Sequence, residues 1–138
     1  MSRFTGGDLV EVTIQSNTAG LIRLEPKGSE DVPIDLGGYM NQDDDTNITA
    51  ALSDISIKNA KKWSVTVPAC GFAEEPNTLE SLQGTIDRSE ALVCTFTFID
   101  NSVYRGTGEI KGALTGNKQT ATIDSFKLAG GGRLEKIA

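Results

Sequence analysis

Among the residue types that carry chemistry, histidine is missing from all 138 positions. That removes Ser-His-Asp and Cys-His nucleophile pairs, His-ligated zinc and the commonest general base. Two carboxylates flanking a cleft would still suffice for glycoside hydrolysis. Here, however, no acidic pair stands in an apolar setting that would raise one pKa. Catalysis is therefore not expected, and neither is a cofactor. The sharpest local constellation is Asp43-Asp44-Asp45-Thr46-Asn47. Asp43, Asp45 and Asn47 fall on the first three ligand positions of a calcium loop, with Asp54 on the twelfth. The sixth position should be Gly and is Ile48, and the twelfth should be a bidentate Glu. A solvated acidic loop is expected, with cation binding as the alternative. Gly130-Gly131-Gly132 lacks the GxxxxGK[ST] pattern of a phosphate loop and has no helix after it, so it reads as a flexible tether. Beyond it, Leu134 and Ile137 are apolar positions on a polar tail, available to pack on a neighbour. Cys70 and Cys94 form no CxxC and read as reduced, packed thiols, with a disulfide as the alternative.

The length fits one domain, and an apolar share of 38% with 23% charged residues fits a folded chain. Thirteen Lys and Arg against 19 Asp and Glu give a net charge of −6, and the longest basic run is Lys61-Lys62. Tight phosphate binding needs clustered cations, so a nucleic-acid-gripping role is disfavoured. A surface past which nucleic acid slides without sticking fits this charge. Residues 1–7 carry no apolar signal core, and no stretch approaches the ~20 apolar residues that span a bilayer.

The elements that must position these residues are mostly strands. Leu9–Gln15 sets Val10, Val12 and Ile14 against Glu11, Thr13 and Gln15, a period of two with one polar face. Leu21–Pro26 reads as the return strand, and Val32–Leu36 as a third strand that Pro33 places at an edge. Residues 38–47 read as an acidic loop. Leu52–Ile57 and Trp63–Val67 read as strands joined by a Lys58–Lys62 connection. Residues 77–86 read as one helix, with Asn77 and Glu80 as a capping box and Leu79, Leu82 and Ile86 on its apolar face. Leu92–Ile99, Val103–Ile110 and Thr120–Leu128 form an antiparallel meander. The expected fold is mainly β, a sandwich or split barrel of about eight antiparallel strands with one flanking helix. Trp63 reads as core or, if outward, as an interface or sugar platform. Arg105-Gly106-Thr107-Gly108 places two glycines in a strand, the mark of a bulge or a close backbone approach. Thr95, Thr97, Thr107, Thr120 and Thr122 make a hydroxyl-rich face, suited to a wetted channel wall or to plain solvent.

In order along the chain, several segments resemble small tail tube proteins of phages. They are Phe4–Asp8, Asp35–Tyr39 before the acidic loop, Lys62–Val67, Thr97–Gly108 and Leu128–Ile137. The resemblance implies a subunit whose copies join sheets edge to edge in rings of six, the rings stacking into a tube that carries DNA. It also implies partners in a sheath or terminator, in the baseplate or tail tip, and in a tape measure protein within the lumen. The place would be the virion, after assembly in the host bacterial cytoplasm. On this reading Asp43, Asp44, Asp45, Leu134 and Ile137 are candidate stacking or interface residues, and Glu11, Glu109 and Asp124 are candidates to face the lumen. A different class, a ligand-binding sandwich of carbohydrate-binding or adhesin type, would use Trp63 or Tyr104 as a stacking platform.

Overall fold

The computed structural model describes residues 3–71 and 78–138. In chain order the first half holds β1 (Leu9–Ser16), β2 (Gly20–Leu24), β3 (Ile34–Asp35), β4 (Gly38–Asn41), β5 (Lys58–Lys61), β6 (Trp63–Val67) and β7 (Cys70–Gly71). Then come α1 (Thr78–Asp87), β8 (Leu92–Phe98), β9 (Val103–Lys111), β10 (Gly116–Asn117), β11 (Thr122–Ile123), β12 (Phe126–Gly130) and β13 (Glu135–Lys136). The expected mainly β, antiparallel fold with one helix is what forms. Eight strands make the principal sheet in the order β2-β1-β8-β9-β12-β6-β3, with β13 beside β9. A small sheet, β10-β11-β7, and a separate pair, β4-β5, complete the described strands.

β9 is where the principal sheet folds over. It pairs with β8 from Val103 to Gly108. On its other side it pairs first with β13, through Tyr104 and Arg105, and then with β12, through Glu109 to Lys111. Trp63 of β6 thereby meets Phe96 of β8 edge to face, ring centroids 6.1 Å apart. The two glycines of β9 permit this contact. A Cβ on Gly106 would lie 2.7 Å from the Trp63 ring, and one on Gly108 would strike the Ala129 carbonyl oxygen. The close approach is thus partly by an indole and partly by a crossing strand. Trp63 is fully buried, and its Nε1–H donates to the Thr107 carbonyl at 3.1 Å. That excludes it as a surface platform. The core around it holds Leu9, Val12, Ile14, Val65, Phe96 and Leu128.

Several expectations are corrected. Val10 points outward, 45% exposed, because a bulge between Leu9 and Glu11 turns Leu9 and not Val10 into the core. Thr120–Leu128 is two short strands, β11 and β12, that pair with different partners. Leu52–Ile57 is not a strand, and Lys58–Lys61, read as a connection, is one. The Gly130–Gly132 segment is no free tether. Gly130 ends β12, and Arg133 bridges to Gly37. Leu134 N–H donates to the Leu36 carbonyl at 2.8 Å. Leu134 is therefore buried in its own subunit, 3% exposed, and is withdrawn as an interface residue, whereas Ile137 stays exposed.

In α1 the buried positions are Thr78, Leu82 and Thr85, with Leu79 and Ile86 half-buried beside the core. The proposed cap, Asn77, lies outside the described residues. The helix ends in a Schellman motif. Ser89 adopts φ 51°, Glu90 N–H reaches the Thr85 carbonyl, and Ser89 N–H reaches that of Ile86. The Glu90 carboxylate then accepts from Ser16 Oγ at 2.7 Å and from Thr18 N–H at 3.1 Å, tying the helix exit to the β1–β2 turn. The Ser16 bond is the main reason that its pKa is held below the usual carboxylate value.

Cys70 and Cys94 are free and buried, and burial pushes both thiols up to about 12. Since the thiolate is the reactive form, neither should react with an aromatic disulfide reagent at neutral pH until the chain unfolds. Labelling followed across a denaturant series should track loss of ellipticity. Rapid titration of either thiol in native buffer would contradict it.

Candidate assembly surface

β4 and β5 pair with each other from Gly38↔Lys61 to Asn41↔Lys58 and with no other strand among the described residues. They and their connection form an arm over residues 38–61. Its order comes from local polar side chains. Gln42 Nε2 donates to Asn59 Oδ1 at 2.8 Å, and Asn47 Nδ2 donates to Gln42 Oε1 at 3.1 Å. The Asp44 carboxylate accepts from Thr46 Oγ1 at 2.6 Å and from its N–H at 2.9 Å. Those bonds, the hydroxyl first, hold the Asp44 pKa below the usual value. Ile48 and Asp54 pair across the tip as an isolated bridge.

What the arm lacks is a core. Tyr39, Met40, Ile48, Leu52, Ile55 and Ile57 are all exposed, six of the fourteen exposed large apolar residues among those described. A lone two-stranded hairpin is marginal in water and normally packs on something. Large apolar patches on a soluble surface mark interaction sites. Leu52–Ile57, expected as a strand, instead returns irregularly along Asn47–Thr49 and leaves Leu52, Ile55 and Ile57 exposed.

Asp43, Asp44 and Asp45 lie in the outer part of the arm, residues 43–54, ahead of its turn at Thr49–Ser53, and all three are exposed. Asp54 adds a fourth carboxylate, and no Lys or Arg occurs between residues 42 and 54. The tip is closed by backbone pairing, with Asp44 engaged by Thr46. Among the described residues no group of three or more acidic or cysteine side chains is arranged to hold a metal ion.

At the base of the arm the charge reverses. Gly37 and Gly38 take φ of 76° and 90°, so the chain turns sharply out of the sandwich into β4. The Arg133 side chain lies against Gly38, where a Cβ would sit 2.8 Å from Nε. Tyr39, Lys61, Lys62 and Arg133 line an open cleft of about 620 Å³ there. Lys61 Nζ is 3.0 Å from Asp35, whose carboxyl is held below its usual range by the Gly37 N–H and then by Lys61. Lys62 and Arg133 form no ion pair among the described residues. The sequence showed only the Lys61-Lys62 pair, because Arg133 arrives from the far end of the chain.

The outer face of β2, β1, β8 and β9 is polar. Register places Arg23, Thr13, Thr95 and Arg105 in one row, with Glu11 and Thr97 in the next. Thr107 lies on this face, whereas Thr120 and Thr122 are elsewhere and bonded to each other at 2.8 Å. Glu11 is 3.0 Å from Arg23. Glu109, two residues beyond Thr107 on the same strand face, accepts from Lys111 Nζ at 2.6 Å. Asp124 is apart from both, in the link between β11 and β12, where it accepts from Thr115 Oγ1. The two glutamates on the face are thus each offset by a cation. Among the described residues no helix is long and apolar enough to cross a membrane. Comparison with protein-family models and with curated proteins finds no match for this chain.

Proposed function

We propose that this chain is a non-enzymatic structural subunit that associates with copies of itself through the 38–61 arm. The carrying observation is an ordered two-stranded arm that, among the described residues, pairs only with itself and exposes six large apolar side chains. Free edges at β2 and β3 give further places where copies can pair backbone to backbone. The polar face of β1, β8 and β9, with its glutamates offset by Arg23 and Lys111, suits a wetted wall that holds neither cations nor phosphates strongly. The specific reading that unites these features is a tail tube subunit of a phage virion. Its rings would stack into a channel for DNA and meet sheath or terminator, tip and tape measure proteins. Burial of Trp63 removes the main support for a sugar-binding alternative. Tyr104 is half-buried, its ring 5.9 Å from Phe98 and edge-on to it.

The test is sedimentation velocity and negative-stain microscopy on the full chain over a wide concentration range. Rings or tubes are expected, growing with concentration. A single 14.7 kDa species at every attainable concentration would remove the assembly reading.

A further inference from the structure

We propose that the acidic outer part of one copy's arm, Asp43-Asp44-Asp45, seats in the basic cleft at the base of another copy's arm, against Lys61, Lys62 and Arg133. This rests on the self-assembly reading and adds to it which surface the arm engages. The two patches are complementary in charge. The tip has four carboxylates and no cation between residues 42 and 54, and the cleft gathers three cations on a chain of net charge −6. The cleft is also shaped for the task. Gly38 has no side chain to lift Arg133 away, so the guanidinium rests against Gly38, and Tyr39 walls the same cleft. A planar guanidinium presents paired donors that match a carboxylate, and among the described residues Arg133 forms no ion pair.

The occupant must come from another molecule. Within one copy, paired β4 and β5 stand between tip and cleft. At about 3.3 Å per strand residue, Asp43 is held roughly 15 Å from Gly38 along the arm. Tip and cleft are different patches of one surface: made in one direction the contact propagates into rings or filaments, and made reciprocally it closes a two-fold dimer, and the proposal takes the first arrangement. The carboxylates give direction and register, while the exposed apolar residues of the arm supply contact area.

The experiment uses full-length chains in two charge-reversed forms, Asp43→Lys with Asp45→Lys, and Lys62→Glu with Arg133→Glu. All four positions are exposed, so the melting curves should match the unaltered chain and exclude misfolding. Each form alone should need roughly tenfold or more higher concentration to assemble, since attractive pairs become repulsive. An equal mixture should assemble like the unaltered protein, because each altered tip then finds a cleft of opposite sign. Carbodiimide cross-linking of isotopically mixed unaltered chains should join residues 43–45 to Lys61 or Lys62 between molecules. If both altered forms assemble normally, or the mixture shows no rescue, the tip-in-cleft contact is wrong while self-assembly stands. If the unaltered chain never assembles, both readings fall together.

Discussion

Replacing Trp63 by alanine should remove about 3–5 kcal/mol of folding stability, the usual range for a buried Trp truncated in a core. Trp63 is 0% exposed and spans the sandwich, touching Phe96 and donating to the Thr107 carbonyl across the fold. Domains commonly have only about 5–15 kcal/mol in total, so this one change takes a large fraction of the whole. At roughly 3 °C per kcal/mol for a chain of this size, the melting temperature should fall by roughly 10–15 °C. A companion substitution tests the mechanism. Gly106→Ala places a methyl 2.7 Å from the indole in a backbone held by β8, and overpacking of this kind costs about 1–3 kcal/mol. In the Trp63→Ala background the ring is gone and Leu134 Cδ1, 2.9 Å from the same position, still crowds it, so the methyl should be better tolerated though not free of cost. A thermal-unfolding double-mutant cycle reads the coupling directly. Strict additivity would show that Gly106 is not there to admit Trp63.

The second large effect separates folding from assembly. Replacing residues 42–57 by Asn-Gly would join Asn41 to Lys58, which already face each other in register. A two-residue turn suits that geometry. None of the residues buried in the core lies in the removed segment, so the melting temperature should stay within about 3 °C, a change of order 1 kcal/mol. Assembly, by contrast, should disappear at all concentrations, because the acidic tip and Ile48, Leu52, Ile55 and Ile57 leave together. Tubes formed by the shortened chain would show that copies meet elsewhere, through the free edges of β2 or β3.

Much of the sandwich was legible because its signals are local. Val12 and Ile14 alternate with polar neighbours, Pro33 marks an edge, and Asp100-Asn101-Ser102 marks the β8–β9 turn, where Asp100 accepts from Ser102 Oγ at 2.6 Å. What stayed hidden depends on distant partners. The bulge that exposes Val10 is set by the register with β8. The tail is fixed by β9 and the Leu36 carbonyl, although Gly130–Gly132 has the local character of a linker. Lys58–Lys61 carries no large apolar side chain and becomes a strand only because Gly38–Asn41 lies opposite. Leu52–Ile57 is the instructive failure. Alternating apolar residues announce a face that must be covered, but not whether the cover belongs to the same molecule. Of the candidate site, the acidic tip was visible in one glance at residues 43–45, whereas its basic counterpart required residues 61 and 133 to be brought together.

The separateness of the arm also sets a timetable. Its widest pairing, Gly38 with Lys61, is short-range, whereas β1 must find β8 across the chain, Leu9 with Phe98. Hairpins close in about 1–10 μs. Sheets dominated by distant pairings take milliseconds to seconds. The sticky element therefore flickers into shape on chains whose sandwich has yet to close. On the self-assembly proposal, two such chains meeting early would join before either is finished, and the yield of ordered product should then depend on how sparsely nascent chains are supplied. Slow synthesis at low temperature should favour well-formed assemblies over tangles of the same composition.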